Sequence, residues 1–167
     1  MSVDVRRATV ADAEAVALVH LHTWQAAYRH VFPPEELDAL PLEPRIRGWT
    51  QGFADPEGDG FVAGDPICGF AFLRRSDEEP EVGELEAIYV DPSAWGTGAG
   101  PALLAAGEQA LRERGFGEAI LWVLEDNPRA RHFYVSAGWE HDGGRKTWPR
   151  MGVEPYVVRY RKRLSGS

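Results

Sequence analysis

Three glycines within five residues, Gly96-Thr97-Gly98-Ala99-Gly100, separate a strand-like run from an amphipathic stretch, and this junction limits the fold more than any other part of the chain. The run before it, Val82 to Val90, reads as a strand that Asp91-Pro92 ends. After it, Leu103, Leu104, Gly107 and Leu111 recur at helical spacing, which predicts a helix from about Pro101 to Arg114. Proline suits a first helical position because its missing N–H would be unpaired there. Glycine lets the backbone turn tightly and approach a ligand, and a helix N-terminus presents unpaired N–H groups with a partial positive charge. A strand, a glycine loop and a helix in that order describe an anion site suited to phosphate, or else a plain flexible turn. Two familiar nucleotide motifs do not fit. A Walker loop continues Gly-Lys-Ser/Thr, whereas Pro101-Ala102 follow Gly100. The dinucleotide fingerprint needs a glycine where Pro101 stands and usually occupies the first strand–helix turn, whereas three or more strands precede this loop.

The rest of the chain alternates between helical and strand patterns. Val3–Arg7 is short and β-prone, and Ala13, Val16, Ala17, His20, Trp24, Ala27 and Tyr28 share one helical face that ends before Phe32-Pro33-Pro34. A second helical region, from about Glu35 to Phe53, is interrupted by Pro41 and Pro44. Asp55–Gly60 is a loop by its turn residues, and Phe61–Ala63 with Ile67–Arg74 read as a hairpin. Ala119–Leu124 is a continuous apolar run, as expected of a central strand covered on both faces. Asn127-Pro128 opens a helix carrying Ala130, Phe133, Tyr134 and Ala137 on one stripe, and Gly138 ends it. Trp139–His141 and Tyr156–Arg161 supply the last strands.

A length of 167 residues suits one core, and 44% hydrophobic with 26% charged residues is the balance of an ordinary globular domain. No apolar leader and no run of about 18 apolar residues is present, so no membrane association is expected and a cytoplasmic location is the default. A net charge of −8 argues against nonspecific nucleic-acid binding and is compatible with an amine-bearing partner. Arg159–Arg163 reads as a solvated strand end. Cys68, the only cysteine, reads as a small buried residue, and five histidines without cysteine partners give no metal signature.

The run Leu85-Glu86-Ala87-Ile88-Tyr89-Val90-Asp91-Pro92, then Trp95-Gly96-Thr97-Gly98-Ala99-Gly100 and Ala102-Leu103-Leu104, resembles motif A of the GNAT superfamily of acyl-CoA-dependent N-acetyltransferases. Asn127-Pro128-Arg129-Ala130-Arg131-His132-Phe133-Tyr134-Val135-Ser136-Ala137-Gly138-Trp139 is similar to its motif B, and Val5–Ala13 resembles its opening strand and first helix. The similarity spans about residues 3 to 162 and implies a single α/β N-acetyltransferase domain over 1–167. It further implies a GNAT-like central mixed twisted β-sheet of about six to seven strands flanked by about four helices. Acetyl-CoA is the implied co-substrate, with no metal. One departure stands out: the family loop carries a long polar residue before its first glycine, and here Trp95 holds that position. The backbone N–H groups of Gly96, Thr97, Gly98, Ala99 and Gly100, ahead of Pro101, are then left to supply the main phosphate contacts.

Acetyl transfer to an amine needs a base for the amine proton, donors for the developing oxyanion and an acid for the departing thiolate. By resemblance Tyr134 is the acid, the alternative being a core tyrosine with a satisfied hydroxyl. Asn127 contacts the pantetheine arm, caps its helix, or does both, and Arg129 of the same motif is grouped with it as a cofactor ligand. Ile88, Tyr89 and Val90 lend their backbone edge to the pantetheine, with an N–H near Val90 as oxyanion donor. Glu84 and Glu86 are the candidate bases, on one strand face with Ile88 provided that no bulge intervenes; like charges so close would raise a pKa. Trp24 and Tyr28 form either an aromatic wall for the acceptor amine or ordinary core. Trp49 and Trp148 are further wall candidates that position alone does not place. The expected activity is transfer of acetyl from acetyl-CoA to a primary amine of a small molecule by direct attack in a ternary complex. A protein N-terminal or lysine acetyltransferase and a non-catalytic CoA-binding sensor are the alternatives. Dimers through the late strands are common in the family, which leaves a homodimer open.

Overall fold

The computed structural model describes residues 3–164. Seven strands form one mixed sheet in the order β1-β2-β3-β4-β5-β7-β6. They are β1 (Val5–Arg7), β2 (Gly58–Ala63), β3 (Gly69–Arg75), β4 (Gly83–Val90), β5 (Glu118–Leu124), β6 (Glu140–Thr147) and β7 (Tyr156–Arg163). Five α-helices accompany them: α1 (Ala13–Ala27), α2 (Pro34–Asp38), α3 (Glu43–Ala54), α4 (Ala99–Glu113) and α5 (Pro128–Ser136). The expected second helical region is two helices, because Pro34 and Pro44 each occupy a first turn.

The helices divide between the two faces of the sheet. Leu103, Leu104 and Leu111 of α4 pack with Leu73, Leu85, Leu121 and Val123, and Tyr134 and Phe133 of α5 join the same cluster. On the other face, Val16 and Val19 of α1 meet Val62 and Phe70, with Trp49, Phe53, Ala87 and Tyr89 against them. A third cluster, Trp24, Tyr28, Phe32, Leu37, Leu124 and Val157, lies beside it, with Trp122 and Trp148 partly buried at its margin. β5 therefore has a covered side chain on each face, as its unbroken apolar run implies.

β4 and β5 are the one parallel pair among these strand pairings, and their pairing stops almost where it starts, at Gly83↔Ala119 and Glu84↔Ile120. From Leu85 to Val90 the β5 side of β4 has no strand partner, while its other side stays paired with β3 as far as Gly69↔Val90. The register between β3 and β4 shifts: Phe72 faces Ala87, and Leu73 faces Leu85. Glu86 is the extra residue of a β-bulge, which corrects the simple alternation of Glu84, Glu86 and Ile88. The bulge puts Ile88 and Val90 on the α4 face with Leu85, and Ala87 and Tyr89 on the α1 face. Glu84, adjacent to Leu85 without a bulge between them, points away from α4.

Other boundaries also move. α4 begins at Ala99, two residues before Pro101, with Gly98 as N-cap at φ 93°. Proline is tolerated at the third helical residue as well, since the first helical bond is Ala102 N–H to the Gly98 carbonyl at 3.2 Å. β2 starts at Gly58, inside the expected loop, and β6 runs to Thr147 with an irregularity between His141 and Arg145. Among the described residues no helix is long and apolar enough to cross a membrane.

Candidate active site

Where β4 and β5 part, a cavity of about 1030 Å³ opens between the two faces of the sheet. Its lining comes from β4 (Glu84 to Val90), β5 (Trp122 to Leu124), the end of α1, the start of α4 and the length of α5. Splayed parallel strands leave a gap that no side-chain ladder fills, and the helices on either side become its walls.

The end nearest α4 is built for an anion. Gly96 and Gly98 have φ of 80° and 93°, which a residue with a Cβ adopts only under strain. An added Cβ at either would meet nothing within 4 Å, so these glycines serve conformation while the loop faces open space. Gly100 serves close approach, because a Cβ there would lie 3.3 Å from the Phe133 ring. As the first residues of α4 and its cap, Gly98, Ala99 and Gly100 direct N–H groups outward, with no backbone acceptor for them among the described residues. Trp95 does not stand idle. Its indole N–H donates to the Val90 carbonyl at 2.9 Å, and the Arg129 guanidinium lies 3.7 Å from its ring centroid. Cation–π stacking thus brings an arginine of α5 over the loop, where the sequence alone suggests only a lost polar contact. Gly100, Pro101, Trp95, Arg129 and Asn127 all line the cavity; Gly96, Thr97, Gly98 and Ala99 form the loop beside it.

Asn127 caps α5, its Oδ1 accepting from the Ala130 N–H at 3.1 Å. Its side-chain amide lies beside the Tyr28 hydroxyl. Tyr134 is buried between Trp139, Tyr160 and Phe133, yet lines the cavity, and its hydroxyl has no hydrogen-bond partner among the described residues. Burial, with a smaller effect of Tyr89, pushes the phenol well above its usual range, so it keeps its proton. Phe133 lines the cavity too, its ring against Gly100 and packed on the α4-side core.

The other end lies on the α1 face. Glu84 and Glu86 both line it, Glu84 half-buried and Glu86 exposed. Burial, then the charges of Glu86 and Glu78, push the Glu84 carboxyl up to about 7, with Ser76 and Lys146 opposing. Glu86 is raised as well, chiefly because the cavity walls shield its carboxyl from part of the solvent, against the pull of Arg74. Tyr28 and Trp148 form walls, whereas Trp24 stands one layer back, donating from Nε1 to the Tyr89 hydroxyl at 3.1 Å. Asp91 N–H donates to the Cys68 carbonyl, so by the alternation of an antiparallel ladder Tyr89 turns its backbone groups to Phe70 of β3; Ile88 and Val90 alone carry the open edge of β4, and the Tyr89 ring stacks on His20. Trp49 is core: its indole N–H donates to His20 Nδ1 at 3.1 Å and its ring packs on Phe70 and Phe72. Burial and Arg45 lower His20 to about 4, so it is neutral at ordinary pH.

Sequence reasoning overlooked Trp122 and Lys146. Trp122 sits in an apolar run that reads as wholly buried, and only the parting of β4 from β5 uncovers it. Lys146 lies beyond the short strand expected at Trp139–His141, and Gly143-Gly144 conceal the continuation of β6. Thr23, Ala26, Ala27 and His30 were overlooked as well; their i, i+3, i+4, i+7 spacing on and just past α1 was the available signal for a second helical face.

These features match known proteins. The family model described as "Acetyltransferase (GNAT) family" matches residues 19–139, well over half of the chain. An uncharacterized N-acetyltransferase of Bacillus subtilis, YuaI, is 35% identical over 131 residues, covering 75% of this chain and 74% of its own length. Mycothiol acetyltransferase of Rhodococcus erythropolis is 35% identical over 118 residues, 61% of this chain; the chain spans only 40% of that relative's length. In structure, YncA of Salmonella typhimurium with its cofactor acetyl-CoA superposes with a TM-score of 0.75 at 18% identity, covering all of this chain and 96% of that one. The strand gap, the glycine cradle and these matches agree, and the chain belongs to the GNAT family of N-acetyltransferases.

Proposed function

We propose that the protein transfers the acetyl group of acetyl-CoA to a primary amine of a small molecule, both substrates being held at once. The observation that carries this reading is the single cavity through the sheet, with an anion cradle at one end and Glu84, its pKa near 7, at the other. Acetyl-CoA supplies the acetyl group as a thioester, activated toward attack by an amine. The N–H groups of Gly98, Ala99 and Gly100 and the Arg129 guanidinium bind its diphosphate. The edge of β4 left open at Ile88 and at the Val90 N–H, with the Asn127 amide, orients the pantetheine arm, and a backbone N–H near Val90 stabilises the oxyanion. Glu84 takes the proton of the attacking amine as the N–C bond forms. The Tyr134 hydroxyl donates to the sulfur as the C–S bond breaks. A total of about 1030 Å³ is the scale of a small-molecule pocket, and part of it holds the pantetheine, so the acceptor fits as a small molecule.

The test is release of free thiol from acetyl-CoA across a panel of small amines and peptides, with wild type and Tyr134→Phe. Wild type releases thiol with a small amine. In Tyr134→Phe turnover falls on the order of a hundredfold, while the affinity for acetyl-CoA stays unchanged. Thiol release with peptides alone contradicts the small-molecule reading. Binding of acetyl-CoA with no thiol release from any acceptor contradicts the enzymatic one.

A further inference from the structure

We propose that the acceptor is an amine that also carries a carboxylate, its amine directed to Glu84 and its carboxylate to Lys146. The inference rests on the amine-acetyltransferase reading and names its substrate class.

Lys146 lines the acceptor end of the cavity, and its Nζ lies 4.0 Å from the centroid of the Trp122 ring. The platform beneath it is fixed. Trp122 Nε1–H donates to Glu78 Oε1 at 2.6 Å, and the Arg159 guanidinium lies 5.5 Å from the same ring. Four other cations on β6 and β7 are paired: Arg145 with Glu125, Arg159 with Asp142, Arg161 with Glu79 and Lys162 with Glu108. Lys146 differs from them. Among the described residues no carboxylate is within ion-pair distance, even though Glu84 and Glu86 line the same cavity. An ammonium group held on an aromatic face at a pocket wall, with no protein anion in contact, is a ready partner for an anion of the ligand.

Charge balance selects that anion. A plain amine would find its carboxylates in Glu84 and Glu86 and would bring its own positive charge toward Lys146. An amino carboxylate matches both signs. A doubly charged phosphate would instead place excess negative charge opposite two glutamates around one lysine. Tyr28, Trp122 and Trp148 then offer apolar surface to whatever joins the two groups.

The experiment measures thiol release from acetyl-CoA by wild type, Lys146→Met and Lys146→Arg. The acceptors are α-, β- and γ-amino carboxylates, their carboxamides, matched plain amines and matched aminophosphonates. In wild type the best amino carboxylate should exceed its carboxamide in kcat/KM by about tenfold or more. Lys146→Met should cut kcat/KM for the acid about tenfold more than for the carboxamide, with the loss in KM, and Lys146→Arg should restore part of it. Lys146 is exposed, so these variants fold. A wild type that prefers carboxamides, plain amines or aminophosphonates overturns the inference, as does an equal loss for acid and carboxamide in Lys146→Met. The amine-acetyltransferase reading survives each of those results. Thiol release with no amine at all removes both.

Discussion

Glu84 occupies the last residue of β4 that still pairs with β5, at Glu84↔Ile120, so its backbone is fixed where the gap begins. Burial, followed by Glu86 and Glu78, favours its neutral form and lifts the pKa from an ordinary 4.5 to about 7. A base must be ionised to work, so kcat/KM for thiol release should rise with pH through about 7, and Glu84→Gln should be slow and lack that step. The same shift has a consequence for stability. The folded chain holds the Glu84 proton more tightly than the unfolded chain does. Stability relative to Glu84→Gln therefore falls as pH rises from about 4.5 to about 7 and is fully lost above that window. Melting temperatures of the two proteins across that range check the sign, and a gap that widens in favour of wild type would contradict it. The glycine loop at a helix start, Asn127 as a helix cap and Tyr134 on the next helix were legible in the sequence because these placements follow from local geometry or from motif position. How Glu84 and Glu86 are turned relative to each other was not. The bulge at Glu86 is a property of β3–β4 pairing, and no period-two count along β4 alone reveals it.

Among the elements, α4 couples the cradle to the core. Its buried stripe seats it on β3 and β4, and Gly107 lets it come close: an added Cβ would lie 2.6 Å from Leu73 Cδ1. Gly107→Ala should destabilise the fold by about 1–3 kcal/mol through overpacking, despite alanine's better helix propensity. Denaturant unfolding reads this directly; a stability equal to or above wild type would show that α4 is not tightly seated. Helices and central strands were legible in order and type, since their apolar periods are long and unambiguous. Their ends were less so. α4 starts two residues before Pro101 because the first-turn N–H groups are unpaired with or without proline. β6 extends past Gly143 and Gly144 because β7 supplies its pairing, which overrides weak local preference. Trp95 illustrates the same limit: its contacts with Val90 and Arg129 join a strand end, a loop and the start of α5, three segments that meet only in the folded chain.

For the molecule as a whole, the parting of β4 and β5 opens a cavity within the sheet, lined by helices from both of its faces. The sequence pattern gave the strands but not their separation, because a lost pairing leaves no mark on the composition of either strand. The glycine loop and Tyr134 lie on the α4–α5 side, and Glu84, Tyr28 and Trp148 on the α1 side. On the proposed reading donor and acceptor occupy the passage together, and no acyl group is parked on the protein. Initial-rate kinetics of thiol release, varying acetyl-CoA at several fixed concentrations of an amine substrate, test this most directly. Simultaneous occupancy predicts intersecting double-reciprocal lines, and parallel lines, the signature of an acetylated enzyme, would contradict it.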